Sequence, residues 1–158
     1  MAGGKPPVTP ASREQAAPPD RAGVSAFVDG AWLTERLGGP GVRIIDVRPQ
    51  PKYNSGHIPG AVCLNPESFR GVVGGVSSML LPADVLARQL SLMGVRSDDT
   101  VVLVHGNVPD ETELGNGIRD ATLVGMGLQR LGHARWAILD GGFARWVQEK
   151  RPVTTALP

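Results

Sequence analysis

Just past the apolar run Thr100–Val104 the chain reads His105-Gly106. A long stretch rich in Gly, Asn and Asp follows, and a helix is expected to begin near Arg119. A strand, a glycine-rich loop and a helix N-terminus in that order form a cradle of backbone N–H groups suited to an anion. Chemistry at such a cradle wants a nucleophile immediately after the strand. None stands there: Cys63 is the chain's one cysteine. Its neighbours Ala61, Val62 and Leu64 read as a buried strand, where a thiol has a raised pKa and is inert. His57, His105 and His133 are single and dispersed, and no Cys or His pair has metal-ligand spacing, so no metal is expected. The glycine-rich stretches match neither a phosphate-binding loop nor a dinucleotide fingerprint, so no cofactor is expected.

The elements that would position these residues can be read from patterning. With 158 residues, 41% hydrophobic and 20% charged, the chain suits one domain with a sizeable core. Sixteen Lys+Arg against fifteen Asp+Glu give a net charge of +1, so no broad field favours nucleic acid or an anionic membrane. No run reaches the roughly 20 apolar residues of a membrane span. Residues 1–23, with Pro6, Pro7, Pro10, Pro18 and Pro19, read as a disordered leader, and no signal peptide follows Met1. One cysteine makes no internal disulfide, and the composition does not choose between a cytoplasmic and a bacterial periplasmic setting.

The folded region is expected over 24–152. Asp29–Leu37 reads as a helix stopped at Gly38-Gly39-Pro40. Arg43–Val47, Ala61–Leu64, Thr100–Val104 and Trp136–Leu139 read as strands, the third apolar enough to be central and covered on both faces. Pro82–Met93 is a helix with Leu86, Leu90 and Met93 on one face. Residues 123–131 form another, with Val124, Leu128 and Leu131 aligned, and Gly142–Lys150 closes the domain. The stretch Gly71–Val76 has no clear pairing partner and reads as a turn or a substrate-facing loop. Residues 153–158 look like a linker leaving the domain. Strands alternating with helices imply an α/β fold with a mostly parallel sheet flanked by helices on both faces.

Local strings sharpen this. Asp46-Val47-Arg48 ends a strand, Gly56-His57-Ile58-Pro59-Gly60-Ala61 shapes a turn, and Asp140-Gly141-Gly142-Phe143 leads to Trp146. Asp46 and Arg48 are read as fixing loops by charge-assisted hydrogen bonds, His57 as a hydrogen-bonded loop residue, and Asp140 as a carboxylate near a helix N-terminus. Together, in this order and spacing, the strings resemble the rhodanese (thiosulfate sulfurtransferase) family. The resemblance implies a cysteine in the loop after the central strand that takes sulfur from thiosulfate as a persulfide and passes it on. The active-loop equivalents here are His105, Gly106, Asn116, Gly117, Arg119 and Asp120. Neither His105 nor Leu114, the two positions alignment offers for the nucleophile, is a thiol, and Asp110, Glu111 and Glu113 oppose an anion. Arg119 and Asp120 allow a small anion site or a helix cap.

The resemblance further implies a tandem protein whose first half lacks the cysteine. The leading expectation is therefore a non-catalytic N-terminal half that supports a second, catalytic rhodanese domain, its partner, near a small anion such as thiosulfate. Two other readings stand beside it: a stand-alone binding module using the acidic loop, and a sulfurtransferase using Cys63. Phosphatase chemistry, known in related members, lacks a nucleophile here.

Overall fold

A computed structural model describes residues 26–106 and 117–158. Five strands form one sheet: β1 (Phe27–Val28), β2 (Val42–Asp46), β3 (Val62–Cys63), β6 (Thr100–Val104) and β7 (Trp136–Leu139), in the order β1-β7-β6-β2-β3. Every pairing in it is parallel, with Val42 opposite Thr100 and Asp46 opposite Val104. The connections are helical: α1 (Gly30–Thr34), α2 (Gln50–Ser55), α3 (Ala83–Leu92), α4 (Gly117–Arg130) and α5 (Gly142–Gln148).

The side-chain period of two in the strands explains why helices cover both faces. In β6, Val101 and Leu103 point to one side and join Leu86 and Leu90 of α3 and Val124 and Leu128 of α4. Val102 and Val104 point to the other and meet Leu33 of α1, Tyr53 of α2 and Trp146 of α5. Ile44 and Ile45 divide in the same way, as do Ala137 and Ile138. A continuous apolar run is thus the signature of a strand buried twice, as expected for Thr100–Val104.

The start of α1 is set by Asp29, whose carboxylate accepts the Trp32 N–H at 2.8 Å. The α3 helix ends where Gly94 turns to positive φ and Arg43 donates to the Met93 carbonyl at 2.9 and 2.5 Å. The segment Gly71–Val76 differs from expectation. It belongs to a separate antiparallel hairpin of β4 (Arg70–Val73) and β5 (Val76–Leu80). Gly74 and Gly75 both take positive φ, which a two-residue hairpin turn of matching twist requires. Residues 153–158, expected to leave the domain, are fastened back onto it: Thr154 and His57 exchange both main-chain hydrogen bonds at 2.9 Å.

Leu103 lies fully buried in the central strand. Leu103→Ala is expected to lower stability by about 2–5 kcal/mol. Urea unfolding should report it as a lower midpoint at an unchanged slope.

Candidate functional site

Chain order reverses between β2 and β6: from β2 the chain moves outward to β3, then returns past β2 to β6 and on to β7. In open parallel sheets ligands sit outside the carboxyl ends of the strands at such a reversal. The residues at those ends are Asp46 to Arg48 after β2, Cys63 to Asn65 after β3, and His105-Gly106 after β6.

Asp46 is fully buried and Arg48 is 8% exposed. The Arg48 Nε and Nη2 donate to the Asp46 carboxylate, the shortest contact being 2.6 Å, and its backbone N–H donates to Asp46 Oδ1 at 3.0 Å. Nη2 also donates to the Gly56 carbonyl at 2.8 Å. The guanidinium carbon lies 3.6 Å from the centre of the Phe143 ring. One planar cation therefore joins the end of β2, the 56–60 turn and the first turn of α5.

His105 is 4% exposed. Its carbonyl accepts the Phe143 N–H at 2.8 Å, and its Nδ1 lies 3.1 Å from the Gly106 carbonyl. Two glycines make this close packing possible. A Cβ on Gly142, which has φ +58°, would strike the His105 carbonyl oxygen, and a Cβ on Gly117 would strike that of Gly106. Arg119 is exposed, and Asp120 is half-buried in the first turn of α4. Burial pushes the Asp120 carboxyl above its ordinary value, Glu67 adds to this, and Arg119 and Arg70 oppose it. Asn116, with Asp110, Glu111, Glu113 and Leu114, lies outside the described residues.

Beside this frame a cleft of about 330 Å³ opens between Arg48, Gln50, Cys63, Asn65, Glu67 and Asp120. Cys63 was expected to be buried; it is half-buried and faces the cleft. Among the described residues β3 is an edge strand, and it is only two residues long. The thiol points at the Arg48 carbonyl, 3.7 Å away. Burial, followed by the Asp46 carboxylate, pushes its pKa up to about 11, while Arg48 pulls the other way. Asn65 and Glu67 escaped the reading of the sequence, because a short polar turn after an edge strand has no residue pattern of its own. Asn65 caps that turn, accepting the Glu67 N–H at 3.0 Å.

His57 and Asp140 lie apart from the cleft lining. His57 is fully buried and stacked on Tyr53 at 3.9 Å between ring centres. Asp140 is exposed and accepts from Arg145 at 2.7 Å, while Gly141, with φ 74°, occupies the cap position of α5. Among the described residues no group of three His, Cys, Asp or Glu side chains is placed to hold a metal ion. None of the described helices is long and apolar enough to cross a membrane.

The family model of the rhodanese-like domain matches residues 29–149. A Synechococcus elongatus protein named for thiosulfate sulfurtransferase activity is 36% identical over 133 residues, covering 84% of this chain and 39% of that protein. The Gallus gallus thiosulfate sulfurtransferase is 32% identical over 141 residues, covering 82% of this chain and 46% of the relative. The chain thus spans less than half the length of these relatives. The crystal structure of the Escherichia coli 3-mercaptopyruvate sulfotransferase SseA superimposes with a TM-score of 0.56 at 23% identity, over 74% of this chain and 42% of that one. At that identity the likeness is one of fold.

Two outcomes are expected from this geometry. Arg48→Met leaves the Asp46 carboxylate buried without its partner and should cost about 3–5 kcal/mol in urea unfolding. Cys63 should react with iodoacetamide at pH 8 about a hundredfold more slowly than a free cysteine, and its rate should keep rising with pH well beyond the range where free thiols level off. A rate equal to that of glutathione would contradict the thiol's environment as described.

Proposed function

The chain belongs to the rhodanese-like domain family, and on that premise we propose that it is the supporting, non-catalytic half of a two-domain sulfurtransferase. The observation that carries this reading is that neither position offered for the nucleophile, His105 or Leu114, is a thiol. Immediately after β6 stands His105, buried, its carbonyl tied to Phe143, with no thiol beside it. The cysteine that the chain does have is at a different strand end, and its raised pKa disfavours the thiolate that attack on sulfur requires. The lengths of the sulfurtransferase relatives agree with the reading, since this chain accounts for 39% of one and 46% of another.

In this proposal the second domain supplies the thiolate. It attacks the outer sulfur of thiosulfate, sulfite leaves with the electron pair of the broken S–S bond, and the persulfide passes its terminal sulfur to an acceptor such as cyanide. The present chain contributes a rigid wall. The carboxyl ends of β2 and β3 and the first turn of α4 would face the partner domain and narrow the space around its loop.

The test uses the full chain with thiosulfate and cyanide, reading intact mass and thiocyanate. Alone, it should gain no sulfur and release no thiocyanate, and Cys63→Ala should behave identically. Mixed with the cysteine-bearing rhodanese domain that accompanies it, it should co-elute with that domain and raise its turnover. A gain of one sulfur with turnover, both lost in Cys63→Ala, would make this chain an enzyme and overturn the proposal. Absence of both co-elution and stimulation would overturn it as well.

A further inference from the structure

The hairpin β4–β5 forms a two-stranded sheet of its own. Its ends are anchored to the domain. Leu80 and Leu81 pack against the core, and the Leu81 N–H donates to the Phe69 carbonyl at 2.9 Å. Between these ends the ribbon is open to solvent, with Val72, Val76 and Met79 exposed by 70%, 55% and 47%. Val76 stands opposite Val73 and Met79 opposite Gly71, so Val76 and Met79 share one face and Val72 lies on the other.

From Gly71 to Leu80 the chain carries no charged residue. Exposed strands are ordinarily guarded by charges, by proline or by a bulge. Here the guard is a bulge alone: the register shifts between Gly71 and Val73, and Ser78 across from them takes φ 60°. A bulge interrupts the free edge against strand addition and leaves the faces uncovered. What the ribbon offers is therefore apolar side-chain surface without charge, which suits an equally uncharged surface on a partner.

The root of the hairpin indicates that partner. It grows out of the turn Pro66–Phe69, whose Pro66 and Glu67 line the cleft. Arg70, the first residue of β4, lies 3.9 Å from the Glu67 carboxylate, and the charges of both act on Asp120 in the cleft wall. Ile118, in the first turn of α4 beside Asp120, is another exposed apolar side chain at this rim. A domain seated over the carboxyl ends of β2 and β3 and the first turn of α4 therefore also meets the hairpin. Leu92 provides the contrast: it is exposed too, but it ends α3 just before β6 begins, at the opposite edge of the sheet.

We propose that hairpin β4–β5 is a docking arm that seats on the cysteine-bearing rhodanese domain, burying Val72, Val76 and Met79 against an uncharged surface of that domain. This rests on the two-domain reading and adds to it the surface by which the halves hold each other.

The experiment titrates the full chain with the cysteine-bearing domain in a calorimeter and compares the wild type with Val76→Ser/Met79→Ser and with Leu92→Ser. The double variant should bind at least about tenfold more weakly, since two partly exposed apolar side chains lose their burial, and Leu92→Ser should bind as the wild type does. Hydrogen exchange on the wild-type chain supplies a second readout that needs no substitution: amides of residues 71–79 should gain protection on mixing, and those of residues 89–93 should not. Wild-type binding that the double variant matches, with no protection gained at 71–79, would overturn the arm and leave the two-domain reading standing. Absence of wild-type binding would overturn that reading and the arm with it. A wild-type chain that dimerises by itself in light scattering, with a monomeric double variant, would assign the ribbon to a second copy and overturn the proposal as well.

Discussion

A carboxylate and a guanidinium taken out of water at the end of a central strand need each other and need every remaining donor placed. Asp46 is wholly buried, and Arg48 reaches it through two nitrogens while a third contact goes to the Gly56 carbonyl. The fork is planar, so satisfying these partners fixes its face as well, and that face lies over Phe143. A lysine would supply the charge but not the plane. The pair contributes little net stability by itself, since desolvation consumes most of the attraction. Its effect is positional. Three segments, two of them neighbours in sequence at residues 46–48 and 56 and one distant at 143, are held to one geometry at the carboxyl edge of the sheet.

That frame borders the cleft that Cys63 faces. Thiol activation wants a positive field and exposure. At Cys63 burial and the Asp46 carboxylate outweigh Arg48, whose charge is already committed to Asp46. Across the cleft, burial and Glu67 likewise favour the uncharged form of Asp120. The displacement at Cys63 is the opposite of what an attacking thiolate would need. At the reversal point itself, His105 is locked through its own backbone, and the glycines at 117 and 142 let neighbouring backbone approach too closely for any larger side chain.

How much of this was legible depended on whether the determining interaction was local. The strands Thr100–Val104 and Trp136–Leu139 were readable because burial on both faces leaves an unbroken apolar run, and the fold followed from their alternation with helices. The hairpin at 70–80 was not, because its apolar residues Val72, Val76 and Met79 are exposed, and its turn is two glycines that equally suit a loop. Nor was α2 visible, with Pro51 in its first turn and one buried residue, Tyr53. Cys63 sits among apolar neighbours in sequence, yet it lies on the edge strand of the described sheet, a position that only the whole sheet reveals. That position 105 carries no thiol was legible from residue type alone, whereas the reason that position is so tightly enclosed required the approach of Gly142.

The returning segment at 151–156 follows from the same frame. Its anchor is the turn at Gly56-His57, and Arg48 holds that turn by the Gly56 carbonyl. A Cβ on Gly56 would lie 3.0 Å from the Val153 side chain, so the turn and the segment are fitted to each other as well as hydrogen-bonded. From the other end, Trp146 of α5 holds Pro152, while Phe143 of the same helix holds both the His105 carbonyl and the face of Arg48. The segment therefore closes a loop of contacts: Arg48 to the 56–57 turn, the turn to residues 153–156, those through Pro152 to α5, and α5 back to Arg48 and His105.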